Sequence, residues 1–145
     1  NTIIAGNDSL ASSPLEPYKP DCVGTLISMG YNLIGQLPTL FCSVTGDLTG
    51  TMIGSLSHGI DPVLSSLTLG GYSTYHHPLL QMGPAIDRGN PAGCTDFDGV
   101  TLTSDQRGEV RVYGSSTPGY TPRCDLGAVE SSLTRFEAFM PLVSK

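Results

Sequence analysis

Tryptophan is absent from this sequence of 145 residues, lysine occurs only at Lys19 and Lys145, and charged residues make up only 14%. Seven Lys and Arg residues stand against thirteen Asp and Glu residues, which gives a formal net charge of −6. A nucleic-acid-binding protein normally carries a basic patch, and the sequence contains none. Attraction to an anionic membrane surface is disfavoured for the same reason. We therefore expect neither nucleic acid nor a membrane surface as a partner.

Long apolar runs are also missing. No run approaches the ~18 residues of a membrane span, so we expect no span. No signal peptide opens the sequence, which begins at Asn1 without Met, and we interpret the chain as a mature product or a fragment. With 18 Gly, 11 Pro and few charges, the composition favours turns and short strands over helices.

Four cysteines are present, and they allow three pairings. No Cys-x-x-Cys motif occurs and the three histidines are not placed at zinc-finger spacing, so we favour disulfides over a metal site. Disulfides indicate an exported, extracellular protein. Pairing the nearest cysteines across turn-rich loops predicts Cys22–Cys42 and Cys94–Cys124, and each bridge could stabilise the fold by ~3 kcal/mol. Asn7-Asp8-Ser9 is an acceptor sequon for N-glycosylation, which bacteria usually leave unused.

Short apolar strands recur near the start of the chain. Residues 2–5 form a compact, β-branched strand, residues 32–35 echo it, and residues 40–44 form another apolar strand. Successive short strands at this spacing are typical of a solenoid, in which each coil buries its inward side chains against its neighbours. Asn7 and Asn32 hold similar turn-edge positions, and we expect them to stack as a short asparagine ladder.

The richest run of motifs lies between Gly83 and Glu130. Short apolar segments there alternate with Asp-Gly, Arg-Gly and Pro turns, which is the pattern of short strands closed by tight turns. Residues 83–89 read Gly-Pro-Ala-Ile-Asp-Arg-Gly and residues 104–108 read Ser-Asp-Gln-Arg-Gly, followed by Arg111. Residues 124–130 read Cys-Asp-Leu-Gly-Ala-Val-Glu.

These ordered motifs resemble the C-terminal part of exported bacterial right-handed parallel β-helix proteins of the choice-of-anchor Q type. That family's pattern is Ser-Pro-Ala-Ile-Asp-x-Gly, Thr-Asp-Gln-Arg-Gly-x-x-Arg and Cys-Asp-Ile-Gly-Ala-x-Glu. Gly83, Ser104 and Leu126 depart from it modestly. The resemblance implies an all-β right-handed parallel β-helix, a solenoid, with a loop-rich C-terminal cap and export from the cell. It implies no single activity.

We predict one β-helix domain over residues 1–130, with a loop-rich portion from about residue 83. Residues 131–145 form a C-terminal tail with an apolar, aromatic sequence. The tail resembles the endings of some large exported bacterial proteins, and we interpret it as a sorting, anchoring or assembly segment.

Charged residues within the motifs predict an ion-paired cluster of Asp105, Arg107, Arg111 and Asp125, because the planar fork of Arg can bind carboxylates at two points. We interpret this cluster as structural, locking the final loops in place. The alternative makes it the site of a polysaccharide lyase or hydrolase, but the shortage of Lys argues against a lyase. No nucleophile elbow, phosphate loop or dinucleotide fingerprint occurs, and we predict that the protein is not an enzyme.

Asp96-Phe97-Asp98-Gly99 resembles half of a calcium loop, to which Asp105 could add an oxygen. The third ligand, the glycine at the sixth position and the terminal Glu of a full loop are missing. We favour plain turn residues and expect no cofactor.

A structural role outside the cell is the leading functional hypothesis. The strand Thr2-Ile3-Ile4 offers an open edge, and the tail carries Phe136, Phe139, Leu142 and Val143. If the two surfaces are complementary, they form a head-to-tail contact that generates a filament. The alternatives are a fragment boundary within a longer solenoid, an adhesin or carbohydrate-binding module that recognises a cell-surface glycan, and the C-terminal part of a polysaccharide-processing enzyme.

Overall fold

The computed structural model describes residues 1–7, 20–111 and 123–131. This part of the chain is β-rich and contains no α-helix. Its elements are β1 (Ile3–Ile4), β2 (Gly24–Met29), β3 (Leu33–Ile34), β4 (Cys42–Asp47), β5 (Met52–Ile53), β6 (Thr68–Leu69), a 3-10 turn (Gly71–Ser73) and β7 (Tyr75–His76).

The chain divides into two compact units. Unit 1 comprises Asn1–Pro62 and unit 2 comprises Val63–Lys145. The single domain predicted over residues 1–130 contains this division. Parallel pairing is confined to unit 1 among the described strands, whereas the pairing described in unit 2 is antiparallel.

Unit 1 contains a parallel three-stranded sheet in the order β1–β3–β5. Its register places Ile3 beside Leu33 and Leu33 beside Met52, so one four-residue pattern is stacked three times. The three copies are Thr-Ile-Ile-Ala at residues 2–5, Asn-Leu-Ile-Gly at 32–35 and Thr-Met-Ile-Gly at 51–54. Leu33 is fully buried at the centre of this stack, because strands on both sides cover it.

Strands β2 and β4 form a second parallel sheet, in which Thr25 lies beside Ser43 and Ile27 beside Thr45. Side chains on a strand alternate between its two faces. Thr25, Ile27 and Thr45 are exposed on the outer face. Ser28 is buried on the inner face, where its hydroxyl accepts an N–H of Asn32 at 3.0 Å and donates to the carbonyl of Asp47.

The predicted asparagine ladder is wrong. The strand register brings Thr2, and not Asn7, beside Asn32, and the Thr2 N–H donates to Asn32 Oδ1 at 3.0 Å. Asn7 instead contacts Asp21: its backbone N–H donates to Asp21 Oδ1 at 2.8 Å and its side-chain Nδ2 donates to the Asp21 carbonyl at 2.9 Å. These two bonds, which we call the Asn7–Asp21 clasp, join the ends of the segment between them.

Unit 2 is built mainly from turns. β6 and β7 pair antiparallel, and the described residues beyond them form only isolated bridges, such as Thr95 with Thr101 and Ser104 with Val110. Buried apolar side chains from two distant stretches make its core, because the Leu126 N–H donates to the Ala85 carbonyl at 2.9 Å and brings those stretches together. The buried side chains of these stretches are Ala85, Ile86, Cys94, Cys124, Leu126 and Val129.

The β-rich class and the parallel sheets agree with the fold predicted from sequence. The complete right-handed solenoid stays a prediction, since the described parallel stacks contain three strands and two strands.

Candidate functional site

Two disulfides are present, with the pairing that the sequence predicts. Cys22 bonds to Cys42 with a Cα–Cα distance of 5.7 Å, and Cys94 bonds to Cys124 with a Cα–Cα distance of 6.1 Å. Both distances lie in the usual range for disulfides. The two bridges are consistent with an extracellular setting. Within residues 1–7, 20–111 and 123–131, no helix is long and apolar enough to cross a bilayer.

Unit 2 contains two consecutive turns of the same construction, which we call turn A (residues 96–100) and turn B (residues 105–109). In each, the N–H of the leading Asp donates to the carbonyl of the fifth residue, at 2.9 Å in turn A and 2.8 Å in turn B. The fourth residue is a glycine with positive φ, +81° at Gly99 and +79° at Gly108. Glycine adopts this conformation without the steric cost that a Cβ would add.

The leading aspartates organise both turns. In turn A, Asp96 Oδ1 accepts the N–H groups of Asp98 at 3.0 Å and Val100 at 2.8 Å. This geometry explains the Asp96-x-Asp98-Gly99 pattern as a turn signal, which is the interpretation that the sequence favoured over calcium. No three acidic, His or Cys side chains of the described residues gather into a set that could hold a metal ion.

Turn B differs from turn A because its aspartate is buried. Asp105 Oδ1 accepts the N–H groups of Arg107 at 2.7 Å and Glu109 at 3.2 Å. Asp105 Oδ2 accepts Arg107 Nε at 2.9 Å, Arg107 Nη2 at 2.6 Å and the Glu130 N–H at 2.9 Å. Both carboxylate oxygens are therefore saturated by donors from two distant segments.

A second ion pair is formed by Arg111, and its acid, Glu130, was not among the predicted members of the cluster. Arg111 Nη1 donates to Glu130 Oε1 at 2.6 Å, and Arg111 Nη2 donates to the Gly127 carbonyl at 3.1 Å. The predicted cluster of Asp105, Arg107, Arg111 and Asp125 therefore needs Glu130 as its central member. Sequence reasoning missed Glu130 because 19 residues separate it from Arg111, although it closes the motif that begins at Cys124.

Asp125 is buried, and backbone N–H groups solvate its carboxylate. Its Oδ1 accepts the Asp87 N–H at 2.7 Å and its Oδ2 accepts the Ser131 N–H at 2.6 Å. The Asp125 N–H in turn donates to Glu130 Oε2 at 3.1 Å. The three motifs at residues 83–89, 104–111 and 124–130 thus meet in one buried polar network, which we call the acidic latch.

Burial changes the ionisation of the latch. Desolvation raises the pKa of Glu130 to about 7, against the lowering influence of its Arg111 partner. Desolvation also raises the pKa of Asp125. At Asp105, burial acts to raise the pKa, but the Arg107 side chain and the N–H groups of Glu130 and Arg107 outweigh it, so that pKa is lowered.

The stability of the protein should therefore depend on pH. Between the usual Glu pKa of 4.5 and about 7, the folded chain holds a proton on Glu130 that the unfolded chain has lost. Stability is consequently greatest toward the acid side of this window and falls as pH rises through about 7, by on the order of 2–3 kcal/mol. Asp105 acts in the opposite sense, and its contribution is lost as pH falls below 3.8.

Urea unfolding followed by circular dichroism at about pH 5 and about pH 8 measures this difference. Glu130→Gln is the matched control, because glutamine keeps the shape of the protonated acid but does not titrate. The variant should lose most of the pH dependence. Equal pH dependence in the wild type and the variant would show that Glu130 is not its source.

The other predicted residues are placed as follows. Asn7 is exposed, and the remaining sequon residues lie outside the described part of the chain, so its glycosylation stays a prediction. Strand β1 contains Ile3 and Ile4, with the exposed Thr2 directly before it. The four predicted assembly residues of the tail lie outside the described residues; they are Phe136, Phe139, Leu142 and Val143.

Comparison with models of protein families, with curated proteins and with solved structures finds no match to this chain.

Proposed function

We propose that this protein is a non-catalytic, extracellular structural module of the β-solenoid type, which associates head to tail through the open edge of β1. The observation that carries the proposal is the position of β1 at the end of the parallel stack β1–β3–β5. The resemblance to exported bacterial β-helix proteins supports the solenoid architecture and the location outside the cell, and the two disulfides are consistent with that location.

The geometry of β1 defines what this edge can bind. The Thr2 carbonyl accepts the Leu33 N–H at 2.8 Å, and the Ile4 carbonyl accepts the Gly35 N–H at 2.9 Å. Successive residues of a strand direct their backbone groups toward opposite edges, so the N–H and carbonyl of Ile3 point away from β3. No strand in the described residues pairs with that side. An added strand would satisfy these groups and continue the stack.

The C-terminal tail is the proposed donor of the added strand. Its sequence contains two Phe residues together with Leu142 and Val143. Burial of these side chains would add hydrophobic stabilisation to the hydrogen bonds of the backbone. An edge and a tail on one molecule are different surfaces, so their contact is heterologous and generates an open filament unless it closes into a ring.

A structural role also accounts for the acidic latch. The carboxylates of Asp105 and Asp125 accept backbone N–H groups from distant segments, and Glu130 is paired with Arg111. Glycoside hydrolysis needs two carboxylates that face a substrate across a cleft. Here the carboxylates are buried and bonded to the protein itself, so we leave the polysaccharide-processing alternative out of the proposal.

Replacing Ile3 by proline should abolish assembly. Proline removes the N–H that points to the open edge, and edge strands tolerate proline because that N–H is not needed for internal pairing. We expect filaments of the wild-type chain in negative-stain microscopy, and only monomers for Ile3→Pro and for a chain that ends before Phe136.

Ile3→Val, which keeps the N–H and the β-branched side chain, is the matched control and should still polymerise. Thermal unfolding checks that Ile3→Pro retains its fold. A wild-type chain that stays monomeric at high concentration, or an Ile3→Pro chain that forms the same filaments, would refute the mechanism.

A further inference from the structure

A groove with a volume of about 640 Å³ lies in unit 1, beside the Asn7–Asp21 clasp. Its volume falls in the range of roughly 300–1,000 Å³ that is usual for small-molecule sites. Three glycines, Gly6, Gly35 and Gly59, line it, and the backbone is exposed at Gly6 and Gly59. The groove shares Asn7 and Asp21 with the clasp, but it shares no residue with the acidic latch of unit 2 or with strand β1.

The polar side chains of the groove have spare hydrogen-bonding capacity. In the described part of the chain, Gln36 is bonded to Asp21 through its backbone N–H, and its side-chain amide offers two N–H donors and one carbonyl acceptor to the groove. Asn7 uses one side-chain N–H in the clasp, which leaves its Oδ1 as an acceptor. A site that offers both hydrogen-bond donors and acceptors suits hydroxyl groups, because a hydroxyl donates one hydrogen bond and accepts others.

The charges of the groove exclude anions. Asp21 and Asp61 line it, and none of the described lining residues is Lys, Arg or His. The Asp21 oxygens already accept the N–H groups of Asn7 at 2.8 Å and Gln36 at 2.5 Å, so its carboxylate is stabilised from within the protein. Asp61, the second carboxylate of the lining, also has a partner within the chain. The remaining capacity is therefore chiefly that of the amides, which favours a neutral ligand over a cation.

Apolar contact is provided by Ile60 and Pro62. A sugar ring presents C–H groups on its faces and hydroxyls at its rim, so it matches a groove with apolar surface and amide groups together. None of the described lining residues is aromatic, and we therefore expect weak binding that becomes strong only when several sites bind at once.

We propose that this groove binds a neutral sugar unit of an extracellular glycan, with the Gln36 and Asn7 amides as its hydrogen-bonding groups. This proposal stands independently of head-to-tail assembly. It would give the assembled chain a repeated array of weak sites along its length.

The test uses the full chain produced without glycosylation and an array of neutral, acidic and amino glycans, followed by calorimetry with the best neutral oligosaccharide. Gln36→Ala should weaken binding roughly tenfold, because it removes the free amide. Gly59→Ala should also weaken it, because a Cβ there lies 3.1 Å from the Gln36 Nε2 and moves that side chain. Gln81→Ala, the same substitution at an exposed glutamine in unit 2, should bind like the wild type.

Binding that is confined to acidic or to amino glycans, equal binding by Gln36→Ala and the wild type, or no glycan binding at all would each overturn the proposal. The monomeric Ile3→Pro chain should bind the neutral oligosaccharide as the wild type does at a single site. An Ile3→Pro chain that no longer assembles but still binds the oligosaccharide would show that the two proposals can be tested separately.

Discussion

Asp105→Ala should destabilise unit 2 by about 3–5 kcal/mol, the usual cost of removing one partner of a buried ion pair. The Asp105 carboxylate accepts bonds from Arg107, from the N–H of Glu109 and from the N–H of Glu130. Alanine would leave the N–H groups of Glu109 and Glu130 without this acceptor, and it would leave the Arg107 guanidinium, whose side chain is 25% exposed, without its carboxylate. Both effects act on the folded state alone.

Turn A supplies a matched control for this experiment, because Asp96→Ala removes the corresponding residue of the same turn. Asp96 is exposed, and from the described residues its side chain accepts two backbone N–H groups, both within its own turn. Its replacement should cost about 1 kcal/mol. Urea unfolding of both variants measures the difference, and similar losses of stability in the two would show that burial and Arg107 do not distinguish turn B.

Gly54→Ala should destabilise unit 1 by about 3 kcal/mol, because overpacking between backbone segments cannot be relieved by a rotamer change. A Cβ on Gly54 would lie 2.0 Å from the Gly35 carbonyl oxygen and 2.6 Å from the Ile60 nitrogen. Those two atoms are hydrogen-bonded to each other at 2.9 Å. The substitution therefore pushes apart stacked strands and breaks the bond that connects residue 60 to the stack.

Gly59→Ala is the control within the same loop. The nearest atoms to its Cβ belong to the flexible Gln36 side chain, which can move, so stability should change by no more than about 1 kcal/mol. Thermal unfolding of the two variants under the same conditions compares their losses of stability. A stable Gly54→Ala chain would mean that the stacked strands can separate without cost.

Local sequence signals predicted some of this architecture well. The β-branched run at residues 2–5 and its echo at 32–35 are indeed neighbours in the stack, and the nearest-neighbour rule gives the disulfide pairing. The Asp105–Arg107 pair was also predictable, since two residues in one tight turn have little freedom to separate. These features depend on short-range patterns, which a sequence displays directly.

Other features depend on long-range register, which the sequence does not display. Strand β5 contains only Met52 and Ile53, which is too short a run to identify as a strand before its pairing with β3 is known. The partner of Arg111 was missed for a similar reason, because the pair joins segments 19 residues apart and follows no local pattern. Turn A and turn B are alike in backbone, yet Asp105 is buried and paired with Arg107, whereas Asp96 is exposed.

The Asn7–Asp21 clasp has a consequence for how this chain can vary. Thr2 and Asn32 are 30 residues apart, whereas Asn32 and Thr51 are 19 apart, yet all three hold equivalent positions in the stack. Asn7 and Asp21 are bonded where the longer connection begins and ends, and the register of the stack is continuous across it. Because the entropy of closing a loop grows only with the logarithm of its length, lengthening this segment costs little. The clasp is therefore a natural insertion point, where a foreign epitope or a small folded domain could be carried without altering the strands on either side.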